Sequence, residues 1–360
     1  MVTASEINNY DTIIIGGGQA GLSAAYFLKK TNLKFIILDS QTKPGGAWLH
    51  TWDSLKLFSP SAYSSLSGWQ MPPTKNEYPT KDEFVNYLEE YEKRYDFPIK
   101  RDTHVINVSK NNGSFELDTN NGKFFCRSVV SATGTAQSPY IPKYPKCDTF
   151  KGTQLHSVDY INASGFKNKK VLVVGAGNTG AQILADVSKA TTTKWVTIEP
   201  PVFLPEDIDG RHLFAQANAK YLKQETDKED QKVSLSNIVQ VESVKEGLAN
   251  GIYNDHRPFK TFYEDGVVWN DHSKEAFDIV IWCTGFKPNL RHLQKLNIVN
   301  NDKIKTKYTH SLSEPGLWLI GYGNWTGFAS ATIYGVGKTA KKTVKEITDF
   351  FNDKAPQQQL

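Results

Sequence analysis

Three glycines, Gly16, Gly18 and Gly21, follow the apolar run Thr12 to Ile15 and open a segment, GQAGLSAAYFLKK, whose apolar residues have helical spacing. Glycines so placed let a tight turn bring backbone N–H groups against a pyrophosphate, and the helix dipole favours the negative charge there. The next apolar run, LKFIILDS, ends on Asp39, 18 residues beyond Gly21, where a carboxylate can accept hydrogen bonds from a ribose. The same grammar returns in KKVLVVGAGNTGAQILADVSKA, with Gly175, Gly177 and Gly180, and in TTKWVTIEP, read as a strand ending at Glu199, 19 residues beyond Gly180. A carboxylate at that point accepts from a 2′-hydroxyl and repels a 2′-phosphate, so Glu199 points to NADH; NADPH would need a nearby cation such as Lys194 or Arg211. Two dinucleotide turns in one chain, with no acid–base triad in view, point to a nicotinamide delivering electrons to a flavin, the first unit holding FAD.

The elements that must position these residues are strands and helices of an α/β chain with two doubly wound dinucleotide-binding units. About 160 residues separate Gly16 from Gly175, so each turn founds its own unit rather than a short repeat. VINVSKNNGSFELDTNNGKFFCRSVVSATG alternates polar and apolar residues around NNG turns, which predicts an antiparallel meander leading into Ala132, Thr133 and Gly134. TFYEDGVVWNDHSKEAFDIVIWCTGF is the corresponding stretch after the second turn, PGLWLIGYGNW reads as a strand entering a glycine turn, and ATIYGVGKTAKKTVKEITDFF as a closing helix. The expected division is 1–160 for the first segment of the FAD unit, 161–287 for the nicotinamide unit inserted into it, and 288–360 for the second FAD segment. Residues 223–236 read as a charged surface segment.

At 360 residues, 39% hydrophobic and 22% charged, the composition is that of a globular protein able to bury a sizeable core. A formal charge of +4 is too small to imply a nucleic-acid partner, and the lysine clusters KNKK and Lys338 to Lys345 read as solvated faces. Cys126, Cys147 and Cys283 lie far apart without a CxxC, which argues against a disulfide framework, a zinc site or a dithiol centre and fits a reducing cytoplasm. No apolar run approaches the roughly 18 residues of a membrane span, and the N-terminus has no signal-peptide pattern. HSVDY, NDHR and DHSK read as surface polar stretches rather than metal sites. A homodimer is an allowed state.

One further pattern discriminates among two-nucleotide enzymes. Phe150, Gly152, His156 and Tyr160 in FKGTQLHSVDY match FxGxxxHxxx(Y/F/W), just before the second glycine turn. With GGAW (Gly45, Gly46, Ala47, Trp48), ATG (Ala132, Thr133, Gly134) and CTGF (Cys283, Thr284, Gly285, Phe286), the chain resembles the flavin-containing monooxygenases of the class B flavoproteins from about Tyr10 to Phe350. It looks most similar to small bacterial members that accept NADH as well as NADPH. The resemblance implies that Gly16, Gly18, Gln19, Ala20, Gly21, Asp39, Gly46, Trp48, the ATG residues and Asn324 hold FAD. Gly175, Gly177, Asn178, Thr179, Gly180, Glu199 and Thr284 would hold the nicotinamide. It also implies the reaction: hydride passes from NAD(P)H to FAD, O₂ adds at flavin C4a, and the hydroperoxide oxygenates a sulfide or amine, or in related enzymes a ketone.

The chain departs from the family pattern in places. Ile161 stands where most members carry Lys or Arg, and Asn324 follows Gly323 where related flavoproteins often have Asp. Anchored on Pro60, Phe58 takes the place of the Asn of an Asn-x-Pro motif beside the flavin; phenylalanine donates no hydrogen bond. Stabilisation must then come from backbone, Ser59, cofactor or water, with leakage to peroxide as a consequence, unless Phe58 is core packing in another register. His156 is either an orienting partner at the junction or a structural histidine. The other readings are a disulfide or ferredoxin reductase, a flavin reductase or oxidase, and a non-catalytic flavin-binding redox sensor.

Overall fold

The computed structural model describes residues 8–211, 237–327 and 329–353, and the charged stretch 223–236 lies outside them. The apolar run before the first glycine forms β1 (Asn9–Ile15), followed by α1 (Gln19–Leu28) and β2 (Phe35–Leu38). After α2 (Lys81–Tyr95) come β3 (Ile99–Lys100), β4 (Val105–Asn111), β5 (Ser114–Thr119) and β6 (Gly122–Ser131). Strands β4, β5 and β6 form the expected antiparallel meander, while β6, β1, β2 and β3 pair in parallel in a nine-stranded sheet. Leu317–Leu319 adds to the other edge of β6 in parallel, so the C-terminal segment completes the first unit.

Alternation along these strands separates two cores. Ile14, Ile37 and Val130 face a cluster with α1, α2 and the closing helix, while Ile13, Ile36 and Val129 face a second cluster with the meander. The closing helix, Ile333–Asn352, buries Val336, Ala340, Val344, Ile347 and Phe351, a stripe at helical spacing that packs on α1. A capping box formed by Thr80 and Glu83 starts α2, which buries Phe84, Tyr87, Leu88 and Tyr91.

The second unit is a five-stranded sheet in which all the pairings are parallel. Its strands are β7 (Thr153–His156), β8 (Lys170–Val174), β9 (Thr192–Val196), β10 (Asp255–His256) and β14 (Ile279–Trp282), with α3 (Gly177–Ser188) between β8 and β9. A small antiparallel sheet of β11 (Thr261–Tyr263), β12 (Gly266–Val268) and β13 (Lys274–Ala276) precedes β14. Two readings change here. The FKGTQLHSVDY stretch contains β7, paired with β14, so the second unit begins ahead of residue 161. NDHR is not simply a surface stretch, because Asp255–His256 is the edge strand β10.

The fingerprint residues brace this sheet from both sides. Phe150 is buried with Leu172, Val174, Val280 and Trp282 on one face, and Tyr160 with Val171, Val173, Ile279 and Ile281 on the other. Gly152 lies between them because a Cβ would fall 2.2 Å from the Phe150 ring and 2.6 Å from the Asp278 carbonyl oxygen. Gly152→Ala must therefore displace the ring or the β7–β14 pairing, and a stability loss of about 1–3 kcal/mol is expected. Chemical denaturation checks this; an unchanged midpoint would show that the ring yields freely.

Candidate functional site

Both glycine turns are built on the same contact. A Cβ at Gly16 would lie 2.7 Å from the Ala132 carbonyl oxygen, and one at Gly175 would lie 2.2 Å from that of Cys283. Both glycines have positive φ, +104° and +117°, so no other residue suits the position. Gly21 and Gly180 stand equally close to the carbonyls of Gly16 and Gly175, with a Cβ 1.9 and 2.3 Å away, which lets each helix start directly over its turn. Neither helix has a side-chain N-cap or an acidic residue in its first turn. The amides of Gln19, Ala20 and Gly21, and of Asn178, Thr179 and Gly180, belong to first turns, whose N–H groups have no intrahelical acceptors. Two glycine turns, each facing a helix N-terminus, fit pyrophosphates.

Gly46 and Trp48 close the first cradle. The Trp48 indole donates to Gln19 Oε1 at 3.0 Å, Gln19 Nε2 donates to the Ala331 carbonyl at 3.0 Å, and a Cβ on Gly46 would approach Gly18 Cα to 2.7 Å. Asn324 is exposed at the start of a 3₁₀ turn after Gly323. Asp39 directly follows β2 and is buried against Gly17, with Arg101 bridging it to Glu92. Burial pushes the Glu92 carboxyl up, against the opposing pull of Arg101.

The equivalent place in the second unit is not Glu199. Ile15 pairs with Leu38 and Val174 with Val196, so the counterpart of Asp39 is Thr197. The strand ends at Val196, and Glu199 stands exposed three residues further on; the apolar Ile198 made the strand look longer. Lys194 and Arg211 are engaged elsewhere, Lys194 with Glu275 at 2.6 Å and Arg211 with Asp209 at 2.9 Å. The cation at this register is Arg257, whose Nη1 donates to the Thr197 carbonyl at 3.1 Å and hydroxyl at 3.2 Å. Sequence reading passed over it because a two-residue strand has no periodicity to detect.

ATG and CTGF are the two ends of a hinge. Segments 134–140 and 284–289 run antiparallel, through Tyr140 N–H to Gly285 C=O, Lys287 N–H to Ser138 C=O and Asn289 N–H to Gly134 C=O, at 2.8–2.9 Å. Thr133 donates to the Asn289 carbonyl at 2.7 Å and Thr284 to that of Tyr140. Asn178 is likewise tied to backbone, accepting from Val239 N–H at 2.9 Å and donating to the Asn237 carbonyl at 3.1 Å.

Phe58 and Ser59 lie on a seam between the units. Phe58 packs against the second unit's core, its carbonyl accepts from Gly210 N–H at 2.9 Å, and Ser59 is buried with its hydroxyl 3.3 Å from that of Ser64. Two residues earlier, the Lys56 backbone exchanges two 3.2 Å hydrogen bonds with the Gln182 side chain of α3. The seam thus ties the first unit directly to the second glycine helix.

Fold and site define a protein with two dinucleotide-binding units joined by a hinge. The sequence profile described as pyridine nucleotide-disulphide oxidoreductase matches residues 13–321. A flavin-containing monooxygenase from Stenotrophomonas maltophilia is 39% identical, covering 96% of this chain and 99% of its own, with a TM-score of 0.88. An uncharacterized CzcO-like oxidoreductase from Geobacillus kaustophilus is 31% identical over 94% of this chain and 98% of its own length. Cyclohexanone monooxygenase, at 18% identity and a TM-score of 0.69 over 96% of this chain, shares the fold. The chain belongs to the pyridine nucleotide-disulphide oxidoreductase family, within its flavin-containing-monooxygenase-like class B flavoproteins, and is an oxidoreductase. Among the described residues no helix is long and apolar enough to cross a membrane, and no His, Cys, Asp and Glu group could hold a metal ion.

The hinge rests on two neutral histidines. His292, buried, has its Nε2 2.9 Å from the Ser131 hydroxyl, which contacts Tyr322 and through it Thr133. Burial pulls the His292 imidazole down to about 3, and burial also lowers His156. A histidine kept neutral in the fold but free to protonate when unfolded favours unfolding as pH drops below the ordinary value. Its stabilisation is therefore present above about pH 6.5 and is lost progressively on acidification towards the folded value. His292→Gln is expected to flatten the fall in unfolding free energy between about pH 6.5 and about pH 4.5 by up to about 1.4 kcal/mol per pH unit. Parallel curves for variant and parent would mean that His292 titrates alike in both states.

Proposed function

We propose that this chain is an FAD-dependent, NAD(P)H-using monooxygenase that places one oxygen atom of O₂ on a sulfide or amine. The observation that carries this reading is the 46–59 segment. Trp48, bonded to Gln19 at the first turn, packs against the cores of both units, and Lys56 to Ser59 are bonded to α3 and Gly210 of the second unit. The two dinucleotide sites are therefore held in one frame, as a nicotinamide-to-flavin relay requires. When bound, the flavin supplies hydride acceptance from the nicotinamide and the activation of O₂.

The chain's own residues bind, orient and exclude water. The α1 amides take the FAD pyrophosphate, Asp39 accepts from the adenosine ribose, Gln19 and Trp48 hold the turn closed, and Asn324 offers an amide to the ribityl chain. The α3 amides take the nicotinamide pyrophosphate. Phe58 and Ser59 line the seam where the units meet, and neither side chain carries an amide to donate. A disulfide reductase is disfavoured because the three cysteines are unpaired, and burial pushes Cys283 up to about 12 and Cys126 up as well, far from thiolates. Unpaired cysteines also suit a reducing compartment such as the cytoplasm.

Purified protein is expected to carry FAD and, under air with NADH or NADPH, to convert a thioether to its sulfoxide, product matching nicotinamide oxidised less peroxide released. Colourless protein that takes up no FAD would sink the proposal, and nicotinamide oxidation yielding only peroxide would favour an oxidase. In the same assay Phe58→Asn is expected to raise sulfoxide relative to peroxide by about tenfold or less, the range of one ordinary hydrogen bond. No change in that ratio would assign Phe58 to packing alone.

A further inference from the structure

The chain's positive charge is concentrated on two elements that lie side by side. Residues 303–312 carry three lysines and no carboxylate, and residues 333–349 of the closing helix carry four lysines and two carboxylates. That excess is larger than the +4 of the whole chain, so the remainder is slightly negative. The first stretch contains Thr306–Lys307 and His310–Ser311, an antiparallel hairpin at the edge of the nine-stranded sheet. Lys307 pairs with His310, whose ring lies 5.1 Å from that of Trp318, in the cluster that the closing helix covers. Hairpin and helix touch directly: the Thr309 and Thr343 hydroxyls are 2.7 Å apart, and Lys342 Nζ lies over the Tyr308 ring. On the helix, Lys338, Lys341, Lys342 and Lys345 are exposed at the spacing of one face, opposite the buried stripe. Lys345 pairs with Asp349 at 2.7 Å, whereas Lys303, Lys305, Lys307, Lys341 and Lys342 have no ion pair among the described residues.

We propose that this face docks reversibly on an anionic phospholipid surface, the lysines meeting the headgroups while Tyr308 and Leu312 enter the interface. Two large apolar side chains stand among the lysines. Tyr308 is 47% exposed at the hairpin turn, where its φ is +56°, and Leu312 is 51% exposed, with its N–H bonded to the Lys305 carbonyl. Neither element contains an arginine. The planar arginine fork suits the defined phosphates and carboxylates of a nucleic acid or a protein, whereas lysine is a point charge and suits a diffuse negative surface. Tyrosine is the residue type that settles at headgroup level. The apolar stripe of the closing helix is already spent on α1, so the helix presents charge alone and the hairpin supplies the only insertion. Attachment is therefore shallow and depends on the lysines.

The test is co-flotation of the full chain with vesicles of phosphatidylcholine alone and of equal parts phosphatidylcholine and phosphatidylglycerol. The parent is expected to float with the anionic vesicles and not with the neutral ones, and to be released by about 1 M salt, where the screening length falls to about 3 Å. Replacing Lys307 and Lys342 together by Gln should weaken binding by about 25-fold, about fivefold for each charge removed. Leu312→Ser, which leaves the charge unchanged, should weaken it by about tenfold. All of these residues lie on the surface, and an unchanged far-UV spectrum and unfolding midpoint show that the variants are folded. Equal flotation with both vesicles, or undiminished binding by the lysine variant or by Leu312→Ser, would overturn the proposal. So would tighter binding to duplex DNA or poly-glutamate than to the anionic vesicles, which would assign the patch to those partners. Flotation needs no turnover, so its outcome is independent of the monooxygenase reading.

Discussion

The architecture depends on one close approach made twice: the first glycine of each turn lies against the carbonyl of the residue that ends the neighbouring strand, Gly16 on Ala132 and Gly175 on Cys283. Contact at that distance forces the chain to turn away with positive φ and to enter the helix at once. The helix amides are thereby aimed at the space over the turn. The same contact fixes where the neighbouring strand must stop, and in both units the chain leaves that point as a crossing to the other unit. ATG and CTG are thus the backing of each glycine turn and, one residue later, the start of the hinge. Glycine turn and hinge are mechanically one object.

Because the two units repeat this plan, their differences are informative. Register makes Asp39 the counterpart of Thr197 and Arg101 the counterpart of Arg257. The first unit gathers two acids around its arginine inside a core closed by α2, which supplies Glu92. The second has no helix in that role among the described residues and leaves its arginine at the surface. Burial obliges the first arginine to stay paired, since an unpaired charge out of water is costly, whereas the second remains solvated.

Features set by local spacing were legible in the sequence. The glycine triplets, the strands before them, the meander and the closing helix depend on residues a few positions apart, and all are found where the pattern placed them. What depends on pairing across the chain was not. Counting from Gly180 points to Glu199, but the position equivalent to Asp39 is defined by the level of the neighbouring strand, and Ile198 continues an apolar pattern after pairing has stopped. Arg257 is level with Thr197 because β10 pairs with β9, a relation between residues 60 apart that no local window contains. The domain limit at 160 failed for the same reason: β7 belongs with β14, more than a hundred residues later.

The fingerprint shows why a motif in a connecting segment can be so specific. Its histidine lies on β7 level with Trp282, and from there reaches the hinge, with Nε2 3.0 Å from the Gly285 carbonyl oxygen and Nδ1 3.2 Å from Val158 N–H. One rigid ring must donate at one nitrogen and accept at the other, which the neutral Nε2–H imidazole does and its protonated form cannot. Tyr160 donates to Asp186 of α3 at 2.6 Å, and Phe150 fills the opposite face of the sheet. The edge strand is therefore bound to the hinge at its end, to the glycine helix above and to the core below. The contacts of this segment fix the angle at which the second dinucleotide unit leaves the crossing between the units.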